Sequence, residues 1–137
     1  VNKQKIIQYM EEDLSKLPDL LEVCRAIFDY ICSQPKQNLR HITFGALSRA
    51  ANLTQTHEII PAVQYLTGER LHLLSTKFEF IDGDFVVDIP IEDVTEAKEK
   101  NVFFHPDKGE VMSDFESKLF MYFTLSPDGE KLLSGQI

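Results

Sequence analysis

The chain has 137 residues, 43% of them hydrophobic and 26% charged, with 14 Lys plus Arg against 22 Asp plus Glu and a formal net charge of -8. That length suits one domain with a small appendage, and the composition is that of an ordinary globular protein, which excludes disordered and collagen-like chains. A balance this acidic counts against a generic polyanion binder, whose affinity comes from Lys and Arg displacing counterions. No apolar run approaches the roughly 20 residues that cross a bilayer. The opening Val1-Asn2-Lys3-Gln4-Lys5 lacks the apolar stretch of a signal peptide, so a soluble, cytoplasmic chain with no membrane partner is expected. The start on Val1 and the stop at Gly135-Gln136-Ile137 suggest a piece of something longer. Cys24 and Cys32 fall in one helical stretch. Their spacing puts them about 12 Å apart along the axis, beyond the roughly 7 Å a disulfide spans, so they read as core thiols of a reducing compartment.

From Lys3 to Leu17 the apolar residues Ile6, Ile7, Met10, Leu14 and Leu17 recur at helical spacing, with Glu11, Glu12 and Asp13 opposite, which predicts an amphipathic helix. Pro18 ends it and can open the next helix, where its missing N-H costs nothing. That second helix runs to about Ser33, and its wide stripe of Leu20, Leu21, Cys24, Ile27, Phe28 and Ile31 marks it as central to the core. Gln34 to Asn38 reads as a turn and Arg40-His41-Ile42 as short extended chain. Thr43 is placed to cap a short helix from Phe44 to Asn52 with Phe44, Leu47, Ala50 and Ala51 inward. After a tight turn at Leu53-Thr54, a further helix carries Ile59, Ile60, Val63 and Leu66 inward and stops at Gly68. Pro61 requires that helix either to start near His57 or to kink.

Between Leu71 and Ile89 the period changes to two. Asp82-Gly83 between alternating runs predicts a hairpin whose central residues both take positive φ. Ile91, Val94 and Ala97 among acidic neighbours predict a short, solvated helix. Pro106-Asp107-Lys108-Gly109 predicts a turn joining two short strands. Ser113 and Glu116 have the spacing of a capping box for a helix with Phe115, Leu119, Tyr122 and Phe123, although Phe120 to Leu125 reads equally as a strand. Pro127-Asp128-Gly129 predicts one more turn before the end.

Helix, short strand, helix, tight turn, helix, hairpin: residues Leu20 to Ile89 run through this order once. With Leu47-Ser48-Arg49-Ala50-Ala51-Asn52-Leu53-Thr54 at the turn, the chain resembles the winged helix-turn-helix superfamily over about half its length. The resemblance implies an α+β, mostly helical fold. Residues 1–17 form an N-terminal amphipathic helix, 18–90 the winged helix-turn-helix core, and 91–137 an acidic C-terminal α/β extension. It implies that Thr54 to Gly68 is the recognition helix and Leu71 to Ile89 the wing.

Function follows the charge distribution. Residues 34–80 carry 5 basic and 3 acidic side chains, whereas residues 81–137 carry 5 and 13. A local basic face of Lys36, Arg40, Arg49, Arg70 and Lys77 suits phosphates, and Thr54, Gln55, Thr56 and His57 are types that bond base edges or backbone. Sequence-specific binding of double-stranded DNA is therefore the first expectation, through Arg40, Arg49, Thr54, Gln55, Thr56, His57 and Lys77, in a regulator or in the DNA-reading part of a larger protein. The alternative is a winged-helix module that binds a protein partner, or a second copy through the N-terminal helix. Phe103, Phe104, Phe115, Phe120, Tyr122 and Phe123 read as core, since Lys118 alone interleaves with them. No catalytic role, small-molecule substrate, cofactor or metal is expected. His41, His57, His72 and His105 lack metal-ligand spacing, and there is no phosphate loop or nucleophile elbow. His105-Pro106-Asp107 with Glu110 reads as turn chemistry.

Overall fold

The computed structural model describes residues 2–134, apart from the side chain of Thr56. The fold is α+β, with six α-helices, short 3-10 turns and small sheets among the described residues. Helix α1 (Lys3–Asp13) is capped by Asn2, whose Oδ1 accepts from the Lys5 N-H at 2.9 Å. It buries Ile6 and Met10 and ends a turn earlier than the apolar spacing predicts. The Leu14 N-H bonds the Met10 carbonyl, and Leu17, expected inside, is 55% exposed. Leu17 instead begins the next helix, its carbonyl accepting from the Leu21 N-H. Helix α2 (Pro18–Ser33) opens on Pro18, as predicted, and buries Cys24, Ile27, Phe28 and Ile31. That three-and-four spacing lays one stripe against its neighbours, and each such side chain contributes about 1.5–3 kcal/mol on burial. Both cysteines are free, and burial pushes the Cys24 thiol up to about 12.

After a 3-10 turn (Lys36–Leu39), Ile42 exchanges two 2.8 Å backbone hydrogen bonds with Phe123, which lies far along the chain. Helix α3 (Phe44–Ala50) and helix α4 (Ile60–Thr67) follow, the latter entered through a 3-10 turn (Thr56–Ile59). Pro61 sits in the first turn of α4, so its lack of an N-H removes no hydrogen bond and the helix has no kink to explain.

Strand β1 (Leu74–Asp82) pairs antiparallel with β2 (Phe85–Ile89), Asp82 opposite Phe85. The hairpin stands as predicted but its turn does not. The two loop residues are Gly83 and Asp84, and of these Gly83 alone has positive φ, at 61°. That pattern needs glycine only at the first central position, where a Cβ would be strained. Helix α5 (Ile91–Lys100), strands β3 (Phe103–Phe104) and β4 (Val111–Met112), and a 3-10 turn (Phe115–Lys118) come next. The open choice over residues 119–125 resolves as strand β5 (Leu119–Leu125), which borders β1 in the order β2-β1-β5. The Ser113–Glu116 capping box does not form, because the chain here is a single 3-10 turn with Ser117 bonded to the Asp114 carbonyl. The last described residues form helix α6 (Pro127–Ser134) where a turn was expected. Ser126, fully buried, caps it by accepting from the Gly129 N-H at 2.9 Å and donates to the His72 carbonyl.

The chain forms two compact units that cut across the expected three segments. The first comprises Val1–Ser75 with Phe123–Ile137, and the second is Thr76–Tyr122. The end of the expected extension thus returns to the helical unit, where Phe123, Leu125 and Leu132 join the core of Met10, Ile27 and Leu47. Most of the expected wing belongs to the second unit, with Phe80 buried against Ala97, Phe103 and Phe115. Of the aromatic residues expected as core, Phe103, Phe115, Tyr122 and Phe123 are buried, whereas Phe104 and Phe120 are exposed.

Candidate nucleic-acid interface

The turn between α3 and α4 is built by local rules. Thr43 Oγ1 caps α3 by accepting from the Ala46 N-H at 3.0 Å. At the other end Asn52 takes φ 58°, and the Leu53 N-H reaches back to the Ser48 carbonyl at 2.9 Å. A left-handed residue followed by that long-reaching bond closes the open carbonyls of a helix end, and Asn tolerates the conformation better than most residues. The half-buried Leu53 then packs onto the core. Beyond it, the Glu58 carboxylate accepts from the Gln55 N-H at 3.1 Å and from Thr54 Oγ1 at 3.5 Å. Thr54 is therefore turned toward a carboxylate. Glu58 was missed as a determinant, although its place three residues after Gln55 is the spacing of a capping box.

His57 lies exposed in the 3-10 turn, while the side chain of Thr56 is outside the described residues. The outward positions of α4 are Ile60, at 44% exposure, Pro61 and Gln64. No Lys or Arg lies between Ile60 and Thr67.

The expected cations divide into four groups. Arg40 and Lys36 line one hollow with Leu39, Thr124, Leu125 and Glu130, so a carboxylate shares their space. Arg49 stands in the last turn of α3, where a positive charge suits the carbonyl end of the helix. Its Nη1 is 3.3 Å from where a Cβ on Gly45 would lie, so the guanidinium folds back along its own helix. Arg40 and Arg49 are exposed and have no ion-pair partner among the described residues. Lys77 is exposed on β1 and belongs to the second unit.

The charge of Arg70 is engaged by the end of α1. Its Nε donates to Asp13 Oδ2 at 2.8 Å, Nη2 lies 3.7 Å from Glu12, and the guanidinium covers the Tyr9 ring at 4.4 Å. Tyr65 donates to the same Asp13 oxygen at 2.6 Å. The Tyr65 hydrogen bond and then Arg70 hold the Asp13 carboxyl below its ordinary range, while burial, followed by the Asp13 bond, pushes the Tyr65 phenol up. These residues join α1 to α4 and the segment after it.

In the second unit the hairpin end is acidic and engaged. Asp82 Oδ2 is 2.9 Å from His105 Nε2, and Oδ1 is 3.2 Å from Lys118 Nζ. The His105 bond, then Lys118, lowers the Asp82 carboxyl below its ordinary value. His105 Nδ1 accepts from the Asp107 and Lys108 N-H groups, both at 3.1 Å, which places the ring proton on Nε2 facing Asp82. Buried at 5% exposure, His105 ties the Pro106–Gly109 turn to β1, the structural use that its sequence context suggests.

One further feature had no sequence signal beyond the end of α1. Leu17, Pro18, Leu20, Val23, Leu53 and Pro61 line a hollow of about 570 Å³, with Lys16, Asp19 and Glu58 among its walls. It brings the start of α2 together with the α3–α4 turn. Among the described residues, no group of three or more His, Cys, Asp or Glu side chains is placed to hold a metal, and no helix is long and apolar enough to cross a membrane. No family model, curated protein or solved structure matches this chain.

Proposed function

We propose that the chain is a non-catalytic, winged-helix-like binding module and that its ligand is a protein, received on the outward side of α4 and the apolar hollow beside it. The order of α2, the Ile42 bridge, α3, the tight turn, α4 and the β1–β2 hairpin supports the winged-helix reading. One observation carries the choice of ligand. The helix that would enter a DNA groove presents Ile60, Pro61 and Gln64 and not one cation, and Pro61 also lines a hollow walled by Leu17, Leu20, Val23 and Leu53. Binding to a duplex is dominated by phosphate neutralisation, for which the outward side of α4 offers no cation, whereas apolar side chains in a concave site suit a protein anchor.

A second reading, sequence-specific recognition of double-stranded DNA, is favoured by Arg40 and Arg49, both exposed and without an ion-pair partner among the described residues. Anisotropy titration of a labelled mixed-sequence duplex from about 50 to 200 mM salt separates the two readings. The protein reading expects no salt-sensitive binding, and expects a partner recovered on the wild-type chain to be lost from Leu17→Glu and Ile60→Glu but kept by Arg40→Glu. Steeply salt-dependent duplex binding that disappears in Arg40→Glu and Arg49→Glu would overturn it.

A further inference from the structure

The second unit concentrates both negative charge and exposed apolar surface. Residues 76–122 hold 12 acidic and 5 basic side chains. Within them, β3 and β4 pair Phe103 with Met112 and Phe104 with Val111. Residues directly opposite on an antiparallel pair share a face, and successive residues alternate faces. Phe103 is buried and Met112 packs on the same cluster, so the other face carries Phe104, 60% exposed, and Val111, 65% exposed.

Phe104 also forms part of a hollow of about 320 Å³ whose walls include Val102 and, from α5, Asp93, Glu96, Ala97 and Lys100. The α5 positions fall at helical spacing on one side of the helix. Lys100 is already bonded to Glu96 at 2.7 Å, whereas Asp93 has no ion-pair partner among the described residues. An apolar wall thus stands beside a carboxylate with its charge uncompensated.

We propose that this face docks a cationic segment of another protein, with an apolar side chain laid against Phe104 and Val111 and a Lys or Arg reaching Asp93. The charge selects the occupant. A second copy bringing the same face would set one acidic surface against another, and a nucleic acid or an anionic bilayer would meet the same repulsion. A positively charged chain meets attraction, and it has an apolar pair to fix its position. The surface belongs to a different unit from the α4 hollow and stands independently of it.

The test uses the whole chain and a dye-labelled peptide of alternating Leu and Lys, read by anisotropy at about 150 mM salt, where exposed charges more than about 8 Å apart are screened. The wild-type chain is expected to bind it. The double variant Phe104→Ser/Val111→Ser, and separately Asp93→Lys, should each weaken binding by at least about tenfold, as truncating an anchor does. All of these side chains are exposed, so the fold should survive, which circular dichroism checks. Leu17→Glu, in the first unit, should leave peptide binding unchanged, which keeps this proposal separable from the one above. Absence of binding, or equal binding to the wild type and both sets of variants, overturns the proposal. So does sedimentation showing a dimer that Phe104→Ser/Val111→Ser dissolves, since the occupant would then be a second copy.

Discussion

The two units differ in how they are held and in how they are charged. In the first, twenty buried apolar residues from five helices, the segments that connect them, the start of β1 and the end of β5 form one cluster, and nine basic side chains nearly balance ten acidic ones. In the second, the buried cluster is four residues, Phe80, Ala97, Phe103 and Phe115, beneath a surface of twelve acidic and five basic groups. Its rings pack closely, Phe80 to Phe103 at 5.4 Å and Phe103 to Phe115 at 5.4 Å, and His105 lies over Phe85 at 5.5 Å. Such pairs add about 0.5–1.5 kcal/mol beyond the area they bury. A core this small, under a self-repelling surface, rests a larger share of its stability on each ring. The first unit distributes the same task over many aliphatic contacts, each of which it can better lose.

Removing one side chain from each core tests that contrast most strongly. Phe80→Ala should cost about 3–5 kcal/mol and Met10→Ala about 2–5 kcal/mol, both residues being wholly buried. Hydrogen exchange should show Phe80→Ala stripping protection from most of residues 76–122, whereas Met10→Ala leaves measurable protection in α2 and α4. Equal, partial losses in the two variants would mean that core size does not set the difference. Next in size is Gly129→Ala in the first unit. A Cβ there would lie 2.5 Å from the Leu73 carbonyl oxygen, a backbone atom that cannot swing aside. Forcing the two apart should cost about 1–3 kcal/mol, read as a lower midpoint in thermal denaturation.

What the sequence made legible follows the same division between local and distant causes. The stripe of α2, the Thr43 cap, the β1–β2 alternation and the 106–109 turn depend on residues close together in the chain, and each stands where its pattern predicts. The run from Phe120 to Leu125 fits a helix or a strand equally. What decides it is pairing with β1 and with Ile42, partners that lie more than forty residues away. Helix α6 had a legible start in Ser126, Pro127 and Asp128, but Gly129 made it read as a turn. That glycine is needed because Leu73 leaves no room for a side chain. The candidate site suffered most from distance. Arg70 counts as basic in any local tally, yet Asp13, fifty-seven positions earlier, takes its charge. The hollow beside α4 draws its walls from Leu17 to Pro61, a conjunction that no single motif encodes.

The smallest effect concerns that polar link. The Asp13 carboxyl is held below its ordinary range by Tyr65 and Arg70, so its contribution is fully present above the unfolded value near pH 4 and fades as the pH falls through the lower folded value. The pair is largely solvent-exposed, with Arg70 at 49% and Asp13 at 25% side-chain exposure, and screening limits what it is worth to about 1 kcal/mol or less. Asp13→Asn should therefore lower stability at pH 7 by no more than that, and the gap from wild type should narrow below about pH 4 as the native carboxylate takes up its proton. Urea titrations of both chains at pH 7 and pH 3 give the comparison. A gap that stays constant with pH would assign the loss to the altered packing of the amide and not to the ionised carboxylate and its bonds to Tyr65 and Arg70. A gap that closes would show that the nearly neutral first unit, like the acidic second, ties distant segments together through one ionised aspartate, with Asp82 held low by His105 and Lys118 as its counterpart.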